Sequence, residues 1–307
     1  MTQPARRRSL RAAETRAAWG FVAPALLAVG TVAIVPIAWT AWESLHLHDL
    51  RMPWRGQPFV GAANFLEAMA DARFAAAGLH TAAFVGVSVS LELLAGLTVA
   101  LVLDRPGRGR GVVRTAALLP WALPTVVVAI IWRFAFEGPD SVASTLLRQT
   151  GLTAAPPVWF AGPLTAWVPI VLADVWRMTP FVAILLLASL QQIDGALYEA
   201  ARLEGATRWQ VFRRITLPLI APALLVAALF RALDAVRVFD LIFVLSAGGP
   251  GTATESVSLY AFETLMRHLR FGYGSALSIL IFAATFLGAL LWVRALGTSA
   301  LPAEDAR

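Results

Sequence analysis

Apolar positions in this chain gather into six long runs, Trp19–Trp42, His80–Leu103, Thr115–Phe136, Leu164–Leu190, Leu219–Leu245 and Gly274–Val293. Each supplies the about 20 residues of helix that cross a hydrocarbon core roughly 30 Å thick. The pattern predicts an all-α integral membrane protein of six transmembrane helices with both termini on one side. Run one is uncharged throughout and exceeds the roughly 7–15 residues of a signal-peptide core, so it reads as a retained span with Arg6, Arg7 and Arg8 as its orienting flank. The expected division is a tail over 1–18, one membrane domain over 19–298 and a C-terminal tail over 299–307.

The polar stretches predict short connections. Glu43 to Leu79, with a helical-looking Asn64–Phe74, is too small for a separate domain and reads as a cap on the outer face. Gly138-Pro139 and Pro156-Pro157 punctuate the 137–163 connection. Ala247-Gly248-Gly249-Pro250-Gly251 cannot continue a helix, and Ser256–His268 then reads as a short outer helix. Prolines lie inside several runs, among them Pro36, Pro120, Pro124, Pro180 and Pro222; each removes a backbone donor and bends its helix, which neighbouring helices repair within a membrane protein. Most of Trp19, Trp42, Trp167, Trp176 and Trp292 read as interfacial anchors, with stacking on a sugar as the alternative.

Composition agrees with the pattern. Of 307 residues 58% are hydrophobic, against about 45–50% in soluble domains, and the mean hydropathy is +0.70. All 25 basic residues are arginine. Arg6, Arg7, Arg8, Arg11 and Arg16 precede the first run, Arg105, Arg108, Arg110 and Arg114 fall between the second and third, and Arg202, Arg208, Arg213 and Arg214 between the fourth and fifth; Arg294 and Arg307 follow the last. The opposite connections hold only Arg51, Arg55, Arg73, Arg148, Arg267 and Arg270, so the positive-inside bias puts both termini and the 194–218 loop in the cytoplasm. Charge dispersed over short loops does not make a nucleic-acid surface. The absence of cysteine excludes disulfides and thiolate metal sites. The absence of lysine excludes a P-loop, which needs Gly-Lys-Ser/Thr, so any nucleotide-driven step belongs to another polypeptide.

Charges inside the apolar runs are the candidate chemistry. Arg231, Asp234, Arg237 and Asp240 follow one another at three-residue spacing, where neighbours can pair; unpaired, they would be expensive in hydrocarbon. In one continuous helix each step turns about 300°, which separates Arg231 from Asp240 and keeps all four from lining one lumen. A structural ladder and a sugar-binding role for Asp234 and Arg237 both remain open. Asp174 and Arg177 repeat the motif, with pairing between helices preferred, and Glu92 requires a nearby arginine or a proton.

The 194–218 loop is the other candidate. Asp194 can cap a helix through Tyr198–Ala201, Gly205 can end it in the left-handed conformation, and Thr207 with Gln210 forms a capping box that starts a second short helix toward Arg214. The product is a helix-turn-helix with small residues at Ala200, Ala201 and Gly205 and charges at Glu199, Arg202 and Glu204. Capping alone does not separate a partner-binding element from a plain connecting hairpin.

The spacing Glu199-Ala200-Ala201, Gly205, Ile215 and Leu217-Pro218 resembles the EAA loop of permease subunits of binding-protein-dependent ATP-binding-cassette importers. Leu119-Pro120-Trp121-Ala122-Leu123-Pro124 with Trp132, Trp176 and Thr179-Pro180-Phe181, and Phe239–Leu245 leading into Gly248-Gly249-Pro250-Gly251 resemble its carbohydrate-uptake branch, of the maltose/trehalose first-subunit type. The chain departs from the enteric maltose subunit in lacking the large extra outer domain and additional N-terminal spans. The resemblance implies a type I importer permease fold in a bacterial or archaeal plasma membrane, with Glu199, Ala200, Ala201, Arg202, Glu204, Gly205, Leu217 and Pro218 on a cytoplasmic coupling helix. It implies a second homologous permease, two copies of an ATPase that hold ATP and Mg, and an extracytoplasmic sugar-binding protein, with no cofactor or metal in this chain. Asp234, Arg237, Arg231, Asp240, Asp174, Arg177, Trp121 and Trp176 are then the substrate-pathway candidates, for an α-linked disaccharide such as trehalose or maltose. Glycerol-phosphate, other oligosaccharides and polyols are alternatives. An intramembrane enzyme is disfavoured because no His-Glu-x-x-His or Gly-x-Ser-x-Gly motif appears. An ion-coupled carrier is disfavoured because no inverted repeat is evident.

Overall fold

A computed structural model describes residues 18–105, 110–151, 153 and 155–300, with the side chains of 110 and 296–300 left aside. The arginines before residue 18, Arg108 and the 301–307 tail fall outside the described residues. The helices, in chain order, are α1 (Ala18–Ser44), α2 (Ala63–Ala70), α3 (Ala72–Asp104), α4 (Arg110–Ala122), α5 (Thr125–Phe136), α6 (Val142–Gln149), α7 (Trp167–Leu190) and α8 (Gly195–Leu203). They continue with α9 (Arg208–Val236), α10 (Asp240–Leu245), α11 (Val257–Phe262) and α12 (Phe271–Ala300). Among the described residues five helices are long and apolar enough to cross a membrane, or six with the bent pair α4–α5 counted as one broken span. The all-α expectation holds, and the six expected spans correspond to these five helices and the bent pair.

Local chemistry explains where the runs depart from single straight helices. The third run breaks at Leu123-Pro124, where Pro124 takes an extended ψ of 138° and α4 and α5 diverge by 90°. Asp71 splits the helix expected over Asn64–Phe74: its carboxylate accepts from Arg73 N at 2.8 Å and from Phe74 N, capping α3 well before His80. Two π-helical turns, Gly30–Ile34 and Phe212–Thr216, each end two residues before a proline, Pro36 and Pro218. Proline removes the donor to the carbonyl four residues back, and a wider turn absorbs the gap without stopping the helix.

The described chain forms two compact units. One comprises α1, the segment through α2 and the start of α12 up to Leu280. Within it Asn64 donates to the Ser44 and His46 carbonyls at 2.8 and 3.0 Å, and Arg270 pairs with Glu67 at 2.6 Å.

The other unit holds α3 to α11 and the remainder of α12. Here α3 and α7 pack along much of their length, with α9 against both. Gly96 permits the close approach: a Cβ there would stand 2.5 Å from Val182 Cγ1. Gly96 and Ala100 form a small-xxx-small pair of the kind that lets membrane helices approach closely, and Ala100, Val182, Leu186, Leu190, Ile220 and Ala227 close one apolar cluster. A second cluster gathers Phe84, Val128, Ile170, Ala235, Ile242 and Leu259.

Candidate functional site

Three long helices each contribute charge to one buried point within their apolar spans. Arg231 of α9 donates from Nε to Glu92 Oε2 at 2.5 Å and from Nη2 to Glu92 Oε1 at 2.9 Å. The same Nη2 donates to Asp174 Oδ2 on α7 at 3.1 Å, and Nη1 to Asp234 Oδ2 at 2.5 Å. The planar five-donor fork of arginine suits three carboxylates at once. Arg231 and Glu92 are buried, whereas the Asp234 side chain is 50% exposed. Burial of charge costs several kcal/mol per ion unless partners repay it. The cluster therefore fixes α3, α7 and α9 to one another, and Asp174 pairs between helices, toward Arg231.

Next to the cluster lies a cavity of about 120 Å³ whose polar lining is Thr125, Asp174, Arg177, Asp234, Arg237 and Asp240. Its shape follows from a break in the fifth run. Helix α9 ends at Val236, Phe239 adopts φ −136° and ψ −67°, and α10 restarts at Asp240. The expected single helix over Leu219–Leu245 is thus corrected, and its phase argument applies only as far as Val236. Beyond the break the chain is redirected, so Asp234, Arg237 and Asp240 share one cavity while Arg231 stays behind the wall. Arg237 stands 3.8 Å from Asp234. Asp240 has neither an ion pair nor a side-chain hydrogen bond among the described residues. Arg177 has its Nε buried without a partner, and among the described residues its side chain's only hydrogen bond is from Nη1 to Met178 Sδ at 3.4 Å.

The 194–218 loop builds as its sequence dictates at its first two turns. Asp194 accepts from Ala196 N at 2.9 Å. Gly205, at φ +76°, ends α8 while Ala206 N donates to Ala201 O at 2.9 Å, closing the last turn. Thr207 and Gln210 form the reciprocal capping box. The second helix, expected to be short, instead runs from Arg208 through the π turn to Val236, 29 residues in all. The loop's second arm and the fifth span are one rod of about 43 Å at 1.5 Å per residue. Tyr198 OH lies 3.2 Å from Thr216 Oγ1 and ties α8 to that rod. Ala201 is buried; Glu199, Ala200, Arg202, Glu204, Gly205 and Pro218 are exposed, and Leu217 is half-buried. Leu203 and Trp209 are exposed as well, at 90% and 65%.

Residues 92–299 match the family described as "Binding-protein-dependent transport system inner membrane component". The chain belongs to this family. The permease is 40% identical over 285 residues to the trehalose/maltose transport system permease protein MalF of Thermococcus litoralis, covering 93% of this chain and 95% of that one. It is 36% identical to the trehalose transport system permease protein SugA of Mycobacterium tuberculosis, covering 94% and 92%. It is also 32% identical to the sulfoquinovosyl glycerol transport system permease protein SmoG of Agrobacterium fabrum, covering 90% and 89%. Its fold matches a chain in the crystal structure of a bacterial ABC transporter for import of alginate, with TM-score 0.81 at 22% identity over 96% of this permease and all of that chain.

The candidates from sequence do not all meet. Trp121 stacks obliquely near Phe181, ring centres 6.0 Å apart, and Trp176 near Trp132 at 6.1 Å; neither lines the cavity. Thr125 does line it, and the signal for it was present in Pro124, whose break places the next residue at the start of α5.

Proposed function

We propose that this permease is the membrane conduit of an ATP-driven importer that takes up a sugar, an α-linked disaccharide such as trehalose or maltose. The observation that carries the reading is the 40% identity to a trehalose/maltose permease over 93% of the chain. The cavity supports it chemically. Asp240 and Arg177 keep hydrogen-bonding capacity, a carboxylate accepting from sugar hydroxyls and a guanidinium donating to them. At about 120 Å³ the space is below the about 300–1,000 Å³ typical of ligand sites, which fits a constricted conformation that widens during alternating access.

In this reading residues 19–298 form one permease domain in a bacterial or archaeal plasma membrane with both termini cytoplasmic. A binding protein delivers sugar from outside, a second homologous permease completes the pathway, and two ATPase copies hold ATP and Mg. The permease makes and breaks no bonds. Glu199, Arg202 and Glu204, with the exposed Leu203 and Trp209, present the surface that an ATPase cleft receives. Displacement of α8 acts on α9 through Tyr198–Thr216 and along the rod to Arg231 and Asp234.

A second reading, uptake of an anionic glycosyl glycerol, is favoured by the 32% identity to the sulfoquinovosyl glycerol permease and by the two arginines at the cavity. The assembled transporter, reconstituted with its binding protein, separates them: ATPase stimulation by trehalose or maltose supports the first, and stimulation by the sulfonated glycoside alone replaces it with the second.

A further inference from the structure

The segment after α1 folds back into a hairpin over residues 45–61 whose level is set by two spanning helices. Leu47 N donates to Pro58 O at 2.9 Å, and Val60 N to Leu45 O at 2.8 Å. On its other side, Leu50 N donates to Leu269 O and Gly272 N to His48 O, each at 3.0 Å. The hairpin is therefore bonded within a few residues of Ser44, where α1 stops, and of Phe271, where α12 begins. Such short tethers hold it at the bilayer surface.

Its exposed face is aromatic. Trp39 and Trp42 on the last turns of α1 have ring centres 5.2 Å apart, His46 lies 4.0 Å beyond Trp42, and Phe59 5.5 Å beyond His46. The row thus leaves the helix and continues onto the hairpin's return arm without a gap. At the tip, the short 3₁₀ turn Pro53–Arg55 carries Trp54, 77% exposed. Arg51 is engaged by Asp49 at 2.6 Å, whereas Arg55 carries no ion pair among the described residues. An exposed aromatic patch calls for an occupant. Indole rings favour the headgroup level of a membrane, and arginine stems lie along apolar surface while the charge reaches outward.

We infer that this hairpin is an interfacial anchor: Trp42, Trp54 and Phe59 lie in the headgroup layer of the outer leaflet, and Arg55 meets a lipid phosphate. Continuity of the aromatic row with a spanning helix is what selects lipid over a soluble partner. The inference depends on the chain crossing the membrane and is independent of the solute carried.

The chain has no cysteine, so one nitroxide can be placed by Trp54→Cys in the full transporter, co-produced with its partner subunits and reconstituted in phosphatidylcholine–phosphatidylglycerol vesicles. Leu27→Cys, on an exposed position of α1, serves as the lipid reference. The expected result is an oxygen-to-nickel relaxation ratio above that of free label in water and below that at the Leu27→Cys reference, as a position at headgroup depth requires. Relaxation by nickel equal to that of free label overturns the inference. So does protection from both reagents, which would mean that protein covers the tip, or protection that appears only when binding protein is added. Arg55→Cys gives the same reading one residue on if Trp54→Cys does not assemble.

Discussion

Arg231 and Glu92 lie 139 positions apart in sequence and meet in a two-pronged pair, at 2.5 and 2.9 Å, with both side chains buried. Removing Glu92 takes away the two-pronged partner and leaves buried Arg231 with only Asp174 and the half-exposed Asp234 to offset its desolvation. Glu92→Leu is expected to destabilise the folded permease by ~3–5 kcal/mol, seen as a large fall in melting temperature in detergent. Arg231→Met, which strands Glu92 and Asp174 together, should behave similarly. Melting temperatures equal to the parent's would show that the cluster does not hold the three helices.

Two glycines on α3 should respond with opposite sign. A Cβ at Gly96 would stand 2.5 Å from Val182 Cγ1 and 3.2 Å from the Ala183 nitrogen, whereas one at Gly86 meets nothing within 4 Å. Gly96→Ala is expected to cost ~1–3 kcal/mol through overpacking. Gly86→Ala should be neutral or add ~0.5–1 kcal/mol by removing helix-interior glycine. Thermal melts of the two variants side by side check the contrast.

Glu199 is exposed on the first arm of the 194–218 loop. Reversing its charge by Glu199→Arg is expected to leave the permease folded in the membrane while abolishing sugar uptake and uncoupling it from ATP hydrolysis. Uptake and hydrolysis are measured on the same vesicles. Normal accumulation by the variant would remove the coupling role from this face.

Asp234 and Asp240 should separate structure from passage. Asp234 bonds to Arg231, so Asp234→Asn is expected both to lower stability and to raise the sugar concentration needed for half-maximal uptake. Asp240 has no such bond, so Asp240→Asn should change stability by less than about 0.5 kcal/mol and still alter the concentration dependence of uptake. Unchanged transport kinetics in both would assign the fifth-run charges to structure alone.

The sequence carried the helical architecture because unbroken apolar runs leave a bilayer few options. It carried the turns of the 194–218 loop because Asp194, Gly205 and the Thr207–Gln210 pair each act on backbone within three residues. It did not carry the cavity. Helical phase counted along one run assumes continuity, and the break at Phe239 is marked by no proline or glycine between Val236 and Asp240. Nor did it reveal that Pro218, through the π turn before it, lets the loop's second arm and the fifth span join as one rod. For Glu92 the sequence left an arginine partner or a proton open; that the partner is Arg231 depends on packing between α3 and α9.

The central claim is that this chain is a passage with no motor of its own. The direct test is uptake of labelled trehalose or maltose into vesicles holding the permease pair and binding protein, with and without the ATPase subunits, at fixed internal ATP. The account predicts accumulation against the gradient only when the ATPase is present, and none when ATP is omitted. Uphill accumulation by vesicles lacking the ATPase would contradict it.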